Sequence, residues 1–189
     1  MALTLVTAPA VEPLTLAEAK GHLRVTTTDE DALITALIVA AREYAETFTR
    51  RALITQTWDL TLDSFPSEIV MPMPALQSVT SITYIDVDGA SQTLPTTEYT
   101  VDIKSAPGRI VEAYGKAWPT TRPVINAVTV RFVAGYGLAV SVPKSIVQGM
   151  LMHIGHMFAN RESVNIGNIS SEVPMTTEYL YMPHRVYRF

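Results

Sequence analysis

Residues 28–51 read TDEDALITALIVAAREYAETFTRR, and the rest of the chain is interpreted around this stretch. Leu33, Leu37, Ala41, Ala45 and Phe48 return every three to four residues, and Ile34 and Ile38 widen the stripe. That is the period of an amphipathic helix with one broad buried face. Thr28, followed three residues later by Asp31, is placed to cap the orphan amides at the start. The acidic run Asp29–Asp31 and the basic pair Arg50 and Arg51 complement the helix dipole at opposite ends. About 22 residues at roughly 1.5 Å each make a helix of ~33 Å. Such a helix cannot bury its stripe alone.

Working outward, LTLAEAKGHLRV offers Thr15 and Glu18 as a capping box, with Leu16, Ala19 and Leu23 on one face of a short helix. Residues before it, held off helix by Pro9 and Pro13, read as an extended arm. After Arg51 the period falls from 3.6 to 2: Trp58, Leu60 and Leu62 alternate with Thr57, Asp59, Thr61 and Asp63, a half-buried strand. Pro66, Pro72 and Pro74 leave room for a short edge-like strand at Ile69–Met71. A hairpin follows from Val79 with Asp88-Gly89 as its turn. Further strands are expected at Tyr99–Ile103, Arg109–Ala113 and Val128–Phe132. The helical period returns after Pro143, where Ile146, Val147, Met150, Leu151, Ile154 and Phe158 form a second stripe. The segment SVNIGNISSEV is loop-like, and TTEYLYM is a possible short helix.

The order is helix, helix, β, helix. The fold class expected is α+β, a small helical bundle core with an inserted antiparallel β unit. The boundaries are a 1–13 arm, a helical core of 14–52 plus 142–161, a 53–141 β insertion and a 162–189 connection and tail.

Composition bounds the function. The chain has 189 residues, 48% hydrophobic and 17% charged, which excludes a disordered chain. A net charge of −4 argues against a basic nucleic-acid grip. Cysteine is absent, which removes disulfides, thiolate metal sites and Cys nucleophiles together. MALTLVTAPAVEP lacks the features of a signal peptide, and no run approaches the ~18 apolar residues of a membrane span, so the expectation is an intracellular protein without a membrane partner. No phosphate loop, nucleophile elbow or HExxH motif is present. His153 and His156 share a side of a helix with Glu162 beyond its end, the only arrangement that suggests a metal-dependent enzyme; a third ligand is not obvious, and partly buried and surface imidazoles are the plainer reading. Ser145 and His153 with some carboxylate make a triad only on paper, and Asp59 and Asp63 read as solvated surface. Catalytic residues, cofactors and metals are not expected. At the C-terminal end, Tyr179, Tyr181, Tyr187 and Phe189 interleave with His184, Arg185 and Arg188, the chemistry of a protein–protein hot spot. A tail folded back on its own domain is equally compatible.

These residues, taken in order, resemble head–tail connector (adaptor) proteins of long-tailed phages and gene transfer agents. The resemblance is carried by PLTLAEAKGHLRV, then DEDALITALIVAAREYAETFTRRALITQTWDLTLDSFP, then PGRIVEAYGKAWPTTRPVINAVTVRFVAGYG, the helix from Pro143 and the ending HRVYRF. It implies a structural virion protein assembled in the host cytoplasm. About a dozen copies would form a ring beneath the portal protein. The ring would extend the DNA channel without sequence-specific binding and dock a stopper or other tail-side neck protein. Another neck role, stopper or tail completion, is the alternative within the same class. The resemblance also assigns Tyr179, Tyr181, Arg185, Tyr187, Arg188 and Phe189 to portal binding. The polar face of the long helix, Arg42, Glu43, Glu46 and Arg50, becomes the candidate subunit interface. Deleting Tyr181–Phe189 is then expected to leave the fold intact.

Overall fold

The long helix runs from Asp31 to Thr49 (α2) in the computed structural model, which describes residues 1–160 and 176–187. Its buried residues are Ile34, Ile38, Ala41, Arg42, Ala45, Glu46 and Thr49. The stripe is therefore centred on Ile34 and Ile38 rather than on Leu33 and Leu37, which are both half-buried. One residue of offset turns a helix by about 100°, enough to bring positions assigned to the polar face inward. Thr28 does not cap the helix with its side chain; its carbonyl accepts from the Asp31 amide at 3.2 Å. Asp31 instead pairs with Lys20, which also donates to the Thr27 carbonyl at 2.7 Å and so ties the corner before α2. In α1 (Leu16–Leu23) the capping box is formed: the Thr15 amide donates to Glu18 at 2.7 Å and the Glu18 amide to the Thr15 hydroxyl at 3.2 Å.

The chain divides into two compact units, Met1–Ala10 with Ile54–Gly137, and Val11–Leu53 with Leu138–Phe189. The second is helical: α2 packs on α3 (Lys144–Ala159), α3 on α4 (Thr176–Tyr181), and α1 on both α2 and α3. Ile146, Gly149, Met150 and Ile154 are the buried face of α3.

The β unit holds two antiparallel sheets. The larger has the order β1-β2-β8-β4-β5 and the smaller β3-β7-β6. The strands are β1 (Ala2–Thr7), β2 (Gln56–Leu62), β3 (Ile69–Val70), β4 (Leu76–Ile85), β5 (Ser91–Thr93), β6 (Tyr99–Asp102), β7 (Arg109–Glu112) and β8 (Val128–Ala134). The central strand β8 buries Val128, Val130, Phe132 and Ala134 in strict alternation, which is why its period was legible. In the hairpin turn Asp86 accepts the Asp88 and Ala90 amides at 3.1 and 2.9 Å, and Gly89 takes φ +91°. Gly135, at φ +125°, lies so close to the Ile54 carbonyl that a Cβ would stand 2.3 Å from it, so glycine is required at this exit from β8. The stretch expected as a 1–13 arm is divided: Ala2–Thr7 pairs with β2, whereas Glu12 is fastened to α2.

That fastening belongs to a buried charge cluster. Arg42 and Glu46 are each only 7% exposed. The Arg42 guanidinium donates to Glu46 at 2.9 Å and to Glu12 at 2.8 Å, and the other Glu46 oxygen accepts the Leu53 amide at 2.9 Å. Burial alone would lower the Arg42 pKa, but the carboxylates of Glu46 and Glu12 outweigh it and hold the guanidinium charged. Arg42 and Glu46 are thus not surface residues available to a neighbouring copy, as the helical period had suggested; the rotated stripe puts them inside. Removing Arg42 takes the guanidinium away from two carboxylates, Glu46 and Glu12, at once. Arg42→Ala is expected to destabilise the helical unit by about 3–5 kcal/mol in urea denaturation.

Tyr181, at the end of α4, is also fully buried. Its ring lies against Gly149 of α3, where a Cβ would approach it to 2.6 Å, and its centroid is 5.9 Å from Phe48 and 6.3 Å from Tyr44 of α2. Tyr181 is core of its own subunit, which corrects its assignment to a partner-binding tail. Deletion of Tyr181–Phe189 should therefore unfold the helical unit rather than spare it. Tyr181→Ala is expected to cost about 3–5 kcal/mol. The Tyr181 hydroxyl is buried without a hydrogen-bond partner among the described residues. Tyr181→Phe should accordingly match or exceed the parent in melting temperature.

Candidate functional site

The residues with catalytic or metal-binding chemistry are placed in structural roles. On α3, His153 is half-buried with its ring edge-on to Tyr44, centroids 4.6 Å apart. Burial, with the neighbouring His156 adding to it, lowers the His153 pKa. His156 is exposed and its Nδ1 faces the Asn160 amide at 3.3 Å; Glu162 lies outside the described residues. Among the described residues no group of three or more His, Asp or Glu side chains could hold a metal ion. Ser145 meets His184, not His153, with Oγ 2.7 Å from Nε2. In a nucleophilic triad the second imidazole nitrogen is oriented by a carboxylate. Here the neighbour is Arg51, whose guanidinium donates to the His184 carbonyl and whose charge, after burial, lowers the His184 pKa. The pair is a clasp on the chain. Asp59 makes a bidentate pair with Arg131 across β2 and β8, at 2.8 and 2.7 Å, and Asp63 accepts the Asn126 amide at 2.9 Å where that residue takes φ +57°.

The remaining candidate is the C-terminal segment, and the helical unit builds its surface from below. The Val186 amide donates to the Thr49 carbonyl at 2.9 Å, so the chain beyond α4 is pinned to the end of α2. The Arg185 guanidinium stands over the Phe48 ring at 5.0 Å and the Tyr187 ring at 5.6 Å. The Tyr187 hydroxyl faces Met182 Sδ at 3.5 Å. Tyr179, Met182 and Tyr187 are exposed, while Tyr181 is buried and Arg185 partly so. Arg188 and Phe189 lie outside the described residues. Of the polar α2 residues, Glu43 and Arg50 are exposed, and Arg50 ends the helix in the left-handed conformation at φ +56°. Composition alone did not reveal Met182, Phe48 or the Thr49 carbonyl as parts of this surface. The usable signal was Gly149, an isolated glycine inside a helical period, which marks close approach by another group.

Both lowered histidine pKa values have one consequence for stability. The folded helical unit resists protonation at His153 and His184, so their contribution is complete above the unfolded value of 6.5 and declines as pH falls below it. Heat denaturation followed by helical circular dichroism should show the midpoint dropping between about pH 7 and about pH 5.5, with the slope reduced by His153→Gln and His184→Gln together.

Residues 13–91 match the family of phage gp6-like head–tail connector proteins. No curated protein matches the chain in sequence. Among solved structures, the chain is similar to a protein in the neck of an empty gene transfer agent particle computed with C6 symmetry. The TM-score is 0.81 and the identity 26%, covering 100% of this chain and 97% of the other. It shares its fold with a chain in the virion of a native gene transfer agent particle, with TM-score 0.80, 23% identity and coverage of 100% and 97%. It also shares its fold with a chain in the neck of a native particle computed with C12 symmetry, with TM-score 0.79, 24% identity and the same coverage. With α1, α2 and the first strands inside the matched stretch and the fold shared over the whole chain, this chain is similar to phage gp6-like head–tail connector proteins.

Proposed function

We propose that this protein is a non-enzymatic virion subunit of the neck, a connector that forms a ring beneath the portal, extends the DNA channel and docks the next tail-side component. The observation that carries the reading is the likeness over the whole chain, at TM-score 0.81 and 26% identity, to a protein in a particle neck. The cyclic symmetry with which related necks are described fits a ring of copies of this chain as well. The net charge of −4 supports a lumen through which DNA slides, because a subunit with few cations gains little from counterion release. Assembly is taken to occur in the host cytoplasm.

The portal-facing surface in this reading is narrower than the aromatic tail as a whole. It consists of Tyr179 and Tyr187, with Met182 and with Arg185 held by Phe48; Arg188 and Phe189 lie outside the described residues. Exposed Tyr, Met and Arg are enriched in the central anchors of interfaces. Glu43 and Arg50 remain candidates for the contact between copies.

Two measurements test the proposal. Particles made without the protein should show DNA-filled heads that leak or lack tails in negative stain; empty or absent heads would contradict a neck role. The double variant Tyr179→Ala with Tyr187→Ala should weaken portal binding by roughly 30-fold or more, the loss of about 2 kcal/mol typical of a hot spot, at unchanged melting temperature. Parental affinity in that variant would remove the portal-binding assignment while leaving the neck role standing.

A further inference from the structure

The two sheets of the β unit have four edges, and they are not alike. In the smaller sheet the edge strands β3 and β6 are short and guarded by charge: Arg109 pairs with Glu68 at 3.3 Å and with Asp102 at 3.1 Å, and Lys116 pairs with Glu98 at 2.9 Å. Short strands and charged flanks are the usual protection against edge-to-edge association. The larger sheet is protected unequally: β1 has six residues and no charge, whereas β5 has three residues and meets charge only at its turn, where Asp86 accepts from Gln92 and Arg122 lies against Gly89. Edge strand β1 lies in a stretch, residues 2–11, without a charged residue, and the opposite edge β5 lies in another, residues 89–97. Every residue of both strands is exposed.

The apolar face of the sheet also runs out to the β1 edge uncovered. Leu3 stands opposite Leu60 and Leu5 opposite Trp58, so both point to the side on which Leu60 is fully buried. Yet Leu3 is 37% and Leu5 43% exposed, and Val6, at the bulge between Leu5 and Thr7, is exposed as well. A six-residue uncharged edge continuing a core face is what a sheet presents when another strand completes it.

We propose that β1 pairs with β5 of a neighbouring copy of this chain, joining the sheets edge to edge between subunits. The proposal rests on the ring reading above: a cyclic ring needs two different, complementary patches on each subunit, and this sheet supplies two exposed edge strands without charged residues of their own at opposite ends. The strand order sets the geometry. Every neighbouring pair in β1-β2-β8-β4-β5 is antiparallel, so β1 and β5 run in the same direction and the seam between copies is parallel. Parallel pairing is the weaker kind per residue, and β5 has only three residues. Leu3, Leu5 and Val6 therefore supply apolar burial alongside the backbone bonds.

The absence of cysteine makes the test clean. Full-length Thr4→Cys and Gln92→Cys variants, one carrying a mass tag, are mixed with portal rings present and treated with a short bismaleimide. The expected product is a mixed cross-linked pair, formed at least about tenfold more than either variant forms with itself. Efficient self-linking of Thr4→Cys would overturn the proposal in favour of a β1–β1 contact. Rings that sediment normally but do not cross-link would overturn it while leaving the ring reading intact. A chain that stays monomeric and unlinked beside the portal would overturn both.

Discussion

The buried pair of Arg42 and Glu46 is the constraint on which the helical unit depends. One guanidinium faces Glu46, Glu12 and, at 3.7 Å, Glu43, so its charge is compensated without help from solvent. Its partners also locate the chain. Glu12 lies where the polypeptide enters the helical unit from β1, and the Leu53 amide, held by Glu46, lies where it departs after α2. A hydrophobic pair could fill the same volume, but it would fix neither crossing. Burying charge is expensive, and the arrangement offsets that cost by giving both Glu46 oxygens a donor and the guanidinium two carboxylates within hydrogen-bond distance.

The C-terminal segment serves the fold, and in the proposed function the same stretch also serves a partner. Tyr181 fills the space left by Gly149, the backbone beyond it is held by Thr49 and Arg51, and the His184 ring is held by Ser145. The exposed aromatics flank this anchor, Tyr179 before it and Tyr187 after it. A surface preorganised in this way loses less conformational entropy on docking than a free tail would. Arg185, stacked between Phe48 and Tyr187, links the anchored part to the exposed part.

Much of the architecture was legible because local and global signals agree. The Thr15–Glu18 capping box, the Asp88-Gly89 turn and the alternation of Val128, Val130 and Phe132 each encode one geometry, and each is present. The register of α2 was misread because Leu33 and Leu37 are as apolar as Ile34 and Ile38, so the stripe is broad and hydrophobicity alone does not fix its centre. The error then carried Arg42 and Glu46 to the wrong face. Strand β1 was hidden for a different reason: it pairs with β2 across the 48 residues between Thr7 and Gln56, and the pattern of residues 2–7 contains nothing about that partner. Aromatic and basic composition located the C-terminal surface but did not say which tyrosine is core, since burial of Tyr181 is decided by a glycine on another helix.

In the proposed function the molecule works by assembly, with its exposed aromatics and its uncharged edge strands serving contacts and its net negative charge keeping DNA free to slide. Cyclic assembly is also what separates a connector from an enzyme or a monomeric tail factor built on similar elements. Native mass spectrometry of the full-length protein bound to purified portal measures this most directly. A single closed species of about a dozen copies per portal ring is the result this account predicts. One copy per portal, or a distribution of sizes with no closed ring, would contradict it.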